Sequence, residues 1–276
     1  MFANIILDSI SPEGIRLTTF HLRYWRAIHA ELMTHRDFSR NARSSRAVPS
    51  KVLLTEQIFV PEFGMNKPGM QSEIKAPPEL QEKWSREWEH LAQLCREQVF
   101  QWQAEGMHKQ WANRPLEWFG WIDVLVTATR WKNFFALRIS KYAQPEFDEL
   151  ARGMRNAMLL STPKLLQPGE WHLPYITDRE ADGRWGLPTL KMMSTARCAR
   201  LSYKPFDGEA DVNAEIARYE KLVVSRPVHA SPAEHQATPD EARADEPDYH
   251  FAHPELHGNF DGWIQHRKML PEEVVR

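Results

Sequence analysis

Residues 34–49 read THRDFSRNARSSRAVP, with five basic side chains (His35, Arg36, Arg40, Arg43, Arg46), three serines and a single acid, Asp37. Guanidinium forks and hydroxyls at this density match the oxygens of a phosphate or carboxylate. The 276-residue chain nevertheless carries a formal net charge of only −2. That balance disfavours a nucleic-acid coat or a membrane-surface protein, which show a large basic excess, and favours a small anion. The competing reading of an Arg-rich loop is a solvated polar turn.

Working outward, residues 15–21 form a β-prone segment. Residues 24–35 then place Trp25, Ile28, Leu32 and His35 at helical spacing. Pro49 blocks continuation of that helix, and 56–64 (EQIFVPEFG) reads as extended chain with Pro61 at an edge or bend. A long helix is expected over 78–105, with prolines at its start, Gly106 after its end and a stripe of Leu80, Trp84, Trp88, Leu91, Cys95 and Val99. Residues 117–129 (EWFGWIDVLVTAT) are strand-like. Helices follow over 130–139 and 145–160, then a long Pro/Gly-rich connection over 161–188. Two more helices are expected near 190–202 and 210–224, and then a tail whose residues 238–258 read as a surface loop. Mixed elements without a repeating βαβ register predict an α+β fold, a mixed or antiparallel sheet with flanking helices.

The apolar fraction of 42% and charged fraction of 26% are ordinary for a soluble domain. No apolar run approaches the ~18 residues of a membrane span, and the N-terminus MFANIILDSISPEG lacks a basic signal-peptide region. Cys95 and Cys198 make neither a disulfide framework nor a CxxC pair, and the twelve histidines never fall into HExxH or a zinc spacing. The expectation is a cytoplasmic, reduced protein with no metal site. GxGxxG, GxxxxGK[ST] and GxSxG are also absent, so any cofactor is held without those fingerprints.

The order of residues in the opening stretch resembles the RHRxxSxNExSxRY motif of the flavin-dependent thymidylate synthases. His35, Arg36, Ser39, Asn41, Ser44 and Arg46 match, while Thr34, Ala42 and Ala47 stand where the motif has Arg, Glu and Tyr. A second block, Asn133-Phe134-Phe135-Ala136-Leu137-Arg138 followed by Ala143-Gln144-Pro145-Glu146, is similar to the family's HFxxLR…AQxEIR segment. A third is displaced. The strings Ala199-Arg200-Leu201-Ser202-Tyr203 and His229-Ala230-Ser231-Pro232-Ala233-Glu234-His235 precede the arginine motif in the family but come late here, whereas the Thr19-Phe20-His21 strand lies near the N-terminus. The resemblance covers about 15–50, 109–160 and 195–238. It implies one circularly permuted domain over 1–276, with an insertion at 50–108 and a tail at 239–276; exposed loops tolerate such rewiring.

The resemblance implies FAD as cofactor, NADPH as reductant and methylenetetrahydrofolate as donor of one carbon to C5 of deoxyuridylate, with no protein thiol attacking the ring. It implies a homo-oligomer, tetramer or dimer, with no membrane or nucleic-acid partner. Catalysis would fall to Arg138, facing the pyrimidine carbonyl edge, and to His235. His35, Arg36, Asn41, Asn133 and Ser231 would lie around the flavin. Glu31, Ser44, Arg46, Arg114 and Arg138 would hold the nucleotide. Glu31 replaces a family Gln, and a carboxylate accepts from an amino group but repels a carbonyl. Thr127 and Thr129 stand where many members have Asn and Arg for FAD. Two alternatives stay open: a pyrimidine deoxynucleotide hydroxymethylase on the same scaffold, and a lapsed enzyme that binds nucleotide or flavin.

Overall fold

The computed structural model describes all residues except 203, 205, 209–210, 244–249 and 274–276. Tyr203, residue 210 of an expected helix and part of the tail therefore lie outside the described residues. Five strands, β1 (Phe2–Ile10), β2 (Arg16–Trp25), β3 (Ser39–Ala42), β4 (Trp121–Ala128) and β5 (Lys164–Leu165), form one sheet in the order β3-β4-β2-β1-β5. Only the β1–β5 pair is parallel, so the sheet is mixed. The helices are α1 (His29–Met33), α2 (Ser50–Thr55), α3 (Pro78–Ala104), α4 (Lys109–Ala112), α5 (Lys132–Arg138), α6 (Pro145–Leu160), α7 (Asp178–Ala181), α8 (Leu187–Arg200) and α9 (Val212–Tyr219). The fold is α+β, as expected.

Period-two alternation gives the sheet two unlike faces. Phe20, Leu22 and Tyr24 of β2, with Ile122, Val124, Val126 and Ala128 of β4, pack against Phe134 of α5 and Phe147, Leu150, Ala151 and Met154 of α6 in the main core. The in-between residues, Thr19, His21 and Arg23 opposite Thr127, Leu125 and Asp123, line the other face. A bulge in β1 between Ile5 and Leu7 inverts its parity. Ala3 and Ile5 therefore join the apolar core while Ser9, paired with Leu17, turns to the polar face. That polar face is covered by Cys198 of α8, by the 3-10 turn Ser231–Glu234 and by a ribbon of β6 (Ala237–Pro239) with β9 (Trp263–Gln265). A second small ribbon pairs β7 (Ala242–Arg243) with β8 (His250–Phe251).

Several expectations change. The helix over 24–35 shrinks to a 3-10 turn at Arg26–Ile28 and the five residues of α1, because Tyr24 and Trp25 are taken by β2, opposite Ile122 and Trp121. The strand expected over 117–129 starts at Trp121, since Arg114–Trp118 turn as a 3-10 helix. The long helix is confirmed as α3, but its stripe is drawn differently, with Leu91 52% exposed and Ala92 and Val99 buried. The 161–188 connection contains β5, α7 and the fully buried His172. The tail is no surface loop either. Asp240 is fully buried, accepting from the backbone N–H groups of Glu241 and His253 and from the rings of His253 and His257. Beyond it, Trp263 packs with Leu17, Leu166, Ala237 and Phe260 and donates to the Ile15 carbonyl at 3.1 Å.

Candidate active site

β3 is the organiser of the 34–49 cluster. Its alternation turns Ser39 and Asn41 inward on the polar face, where both are buried. The side-chain amide nitrogen of Asn41 is buried without a hydrogen-bond partner, a deficit of about 1–3 kcal/mol unless a ligand supplies the acceptor. Asn41 lies in the wall of a pocket of about 580 Å³, together with Ser202 from the end of α8, Arg218 and Lys221 from α9 and its extension, and His229 and Ser231. Among the described residues neither Arg218 nor Lys221 has a carboxylate partner. The head and tail of the chain are thus joined at one cavity, and the Ser44 N–H fastens the join by donating to the Ser202 carbonyl at 2.9 Å.

Beneath this wall a buried chain of polar groups crosses the sheet. Ser9 Oγ lies 2.8 Å from His172 Nδ1, and His172 Nε2 lies 2.8 Å from Thr19 Oγ1. Thr19 Oγ1 is 2.7 Å from Thr127 Oγ1, which is 2.8 Å from His235 Nδ1. His235 is 0% exposed and its Nε2 has no partner. Burial, with the nearby His172, holds its pKa down to about 3, so the ring is neutral at physiological pH. Thr127, where the resemblance led to Asn as a flavin contact, is instead a link in this chain.

A second cluster gathers around Arg138 at the end of α5. Its Nε donates to His35 Nε2 at 2.9 Å, Nη1 to Glu31 Oε2 at 3.0 Å, and Nη2 to Thr34 Oγ1 at 3.1 Å, and its guanidinium lies over the Phe147 ring at 4.8 Å. Burial and the Arg138 and Arg40 guanidiniums hold His35 down to about 4. Its Nε2 is therefore an acceptor and its proton sits on Nδ1. Burial pushes the Glu31 carboxyl up, and Arg138 opposes that shift.

The remaining expected residues are dispersed. Arg36 and Arg46 are exposed and flank β3 on either side, Asn133 is exposed on α5, and Arg114 pairs with Glu117 at 2.9 Å. None of the four lines the pocket. Arg40 and Arg43, at positions the motif leaves open, are tied into the fold rather than solvated as in a plain polar turn. Arg40 donates to the carbonyls of Met33 and His35, closing the C-terminal end of α1. Arg43, 8% exposed, meets Glu56 at 2.8 Å and Asp123 at 3.4 Å, and Arg23 bonds the same two acids.

A family model, Thy1 (thymidylate synthase complementing protein), matches residues 16–164, more than half of the chain. The chain belongs to that family. Among solved structures it is similar to a UMP/dUMP methylase, PolB, from Streptomyces cacaoi bound with 5-Br UMP. The two are 16% identical over 56% of this chain and 87% of that one, with a TM-score of 0.49. No curated protein matches it.

Within this Thy1-family chain, the matched span holds Asn41 but ends before every other residue of the pocket wall. Ser202, His229 and Ser231 were legible through the displaced strings, whereas Arg218 and Lys221 were not, because nothing in an amphipathic helix says which cations face a cavity. His172 sat in a stretch without periodicity and gave no signal. Cys198 is fully buried and burial pushes its thiol up, consistent with a packed side chain; the Cys95 thiol is likewise raised by burial.

Proposed function

We propose that the protein transfers a one-carbon unit to C5 of a pyrimidine deoxynucleotide, converting dUMP to dTMP, with FAD as cofactor, NADPH as reductant and methylenetetrahydrofolate as donor. The observation that carries this reading is the pocket where Asn41 of the arginine-rich stretch meets Ser202, His229 and Ser231 from far along the chain. Family membership supports it. The residues present fit a phosphate-bearing cofactor, with two cations at Arg218 and Lys221, hydroxyls at Ser202 and Ser231, and an orphaned amide donor at Asn41. When bound, a flavin supplies the reducing equivalents for the transferred carbon.

The chain's own residues divide the remaining work. Asn41 and Ser231 bind and orient the cofactor, with His35, Arg36 and Asn133 completing its surroundings. Arg138, held by His35, Thr34 and Glu31, meets the negative charge that builds on the pyrimidine oxygens as C5 reacts. A preorganised donor of this kind contributes about 3–4 kcal/mol in a water-poor site. Ser44, Arg46 and Arg114 hold the nucleotide phosphate. Neutral His235, anchored through Thr127, positions the wall behind the pocket. Arg36, Arg46, Arg114 and Asn133 do not line the pocket, and neither do Ser44 and the cluster of Arg138, His35 and Glu31; a second copy of the chain would bring such residues to it, and we read the protein as a homo-oligomer.

The chain order is read as a circular permutation of a single domain with an insertion at 50–108 and a tail at 239–276. In support, Ala237, just after the His229–His235 string, packs with Leu17 at the start of the strand that carries Thr19-Phe20-His21. A second reading, pyrimidine deoxynucleotide hydroxymethylation, rests on Glu31: its carboxylate on Arg138 suits an exocyclic amino group better than a carbonyl. Mass spectrometry of products from dUMP and dCMP, each with methylenetetrahydrofolate and reduced flavin, separates the two. A methylated dUMP product is expected; a hydroxymethyl product selects the second reading, and no product from either nucleotide leaves only a binding protein.

A further inference from the structure

Outside the pocket lining, Lys191 of α8 sits with its Nζ 3.3 Å from the centroid of the Trp171 ring. His266, in the 3-10 turn His266–Met269, packs edge-on to Trp171 at 6.0 Å and stacks on Tyr219 at 6.5 Å. His266 is 8% exposed, and neither of its ring nitrogens has a hydrogen-bond partner. Lys191, half-buried, has no carboxylate within ion-pair distance among the described residues. The Trp171 indole N–H and the Tyr219 hydroxyl likewise have no bond among the described residues. Four side chains that can donate a hydrogen bond, from four separate segments, therefore come together with no carboxylate partner among the described residues, and both His266 nitrogens are buried without one of any kind.

A buried donor without an acceptor is destabilising, and the face of the Trp171 ring offsets only part of the desolvation of the Lys191 charge beside it. The usual remedy in a folded protein is a carboxylate, yet none of the described residues pairs one with Lys191. An outside oxyanion supplies what is missing: negative charge for the ammonium and acceptor oxygens for the imidazole, indole and phenol. Trp171 and Tyr219 also offer flat apolar walls for a ring or short chain attached to it.

We propose that Lys191, His266, Trp171 and Tyr219 form a second binding site, separate from the pocket at Asn41, for a small oxyanion-bearing ligand, either a carboxylate or a phosphate. Lys191 provides the charge, and the other three fix the orientation. The site shares α9 with the pocket, since Tyr219 comes from the same helix as Arg218, but no residue of the first site takes part in it. Burial holds the Lys191 ammonium down to about 8 and the His266 ring, beside Lys191, down to about 4, as expected of groups awaiting a counter-ion.

The test uses the full chain and two probes, acetate and inorganic phosphate. Lysines are acetylated with limiting anhydride and mapped by peptide mass spectrometry, with and without each probe. The expected result is that millimolar concentrations of one probe slow labelling of Lys191 several-fold while surface lysines such as Lys83 are unchanged, and which probe protects names the oxyanion. Calorimetric titration of that probe should weaken about tenfold in Lys191→Met and His266→Phe. Absence of protection by both probes up to about 0.1 M, or an unchanged titration in Lys191→Met, overturns the proposal. If Lys191→Met fails to fold, the labelling comparison on the unaltered chain still decides it. Neither result bears on the Asn41 pocket, whose ligands are tested separately.

Discussion

Two side chains carry opposite kinds of strain. Asn41 has a donor buried with nothing to give to, whereas Arg138 has its guanidinium committed to Glu31, His35 and Thr34. Replacing Asn41 by Ala should therefore leave the urea midpoint unchanged or slightly raised while weakening flavin binding about tenfold. Arg138→Ala should lower turnover by about two to three orders of magnitude with the thermal transition nearly intact, as its partners are part-exposed; near-normal turnover removes its assigned role. Thr127→Val is different in kind. It removes the contact to His235 Nδ1 and Thr19 inside a fully buried chain, so stability should drop by about 1–3 kcal/mol in a denaturant titration. Arg43→Met takes one of two guanidiniums from Asp123 and Glu56 while Arg23 stays on both, and should cost about 1.5–3 kcal/mol, more than its place in a solvated turn would suggest.

Among the elements, the legible ones were those whose side chains repeat. The apolar half of β4, and α3 and α6 with their prolines at the start, followed from period and punctuation alone. β3 did not, because Ser-Arg-Asn-Ala has no β-branched or aromatic residue and is a strand only because β4 offers it an edge. α1 was overdrawn for the opposite reason: Trp25, Ile28 and Leu32 are all buried, but a strand end, a 3-10 turn and one helical turn bury them in succession. The site divides in the same way. Asn41, Ser202 and Ser231 could be found as strings, while the partners of Arg43 and the buried His172 depend on chain crossings that leave no local pattern. The long helix α3 is tied down through Trp88, whose indole donates to the Phe59 carbonyl and whose ring meets Trp25, Phe63 and Phe119. Trp88→Ala should cost about 3–5 kcal/mol, checked by chemical denaturation.

Across the whole molecule, the polar face of the sheet is roofed by the two late segments of the chain, and the histidines trapped there and in the core set its response to acid. His29, His35 and His266 are held to about 4 and His172 and His235 to about 3, burial being the first cause in each. Their unfolded values lie near 6.5, so the unfolded chain binds more protons below that pH. Stability should be greatest above about 6.5 and fall as pH drops toward 4, with an uptake of more than one proton on unfolding, read from denaturant midpoints across that range. No helix among the described residues is long and apolar enough to cross a membrane. The account depends most on the cavity in which the arginine-rich head of the chain meets its serine-bearing tail. Titration of FAD into the full-length protein, followed by quenching of flavin fluorescence, probes that meeting directly. Saturable binding, weakened about tenfold by Asn41→Ala and again by Arg218→Met, is the predicted result; a protein that binds no flavin, or binds it equally well in both variants, contradicts the account.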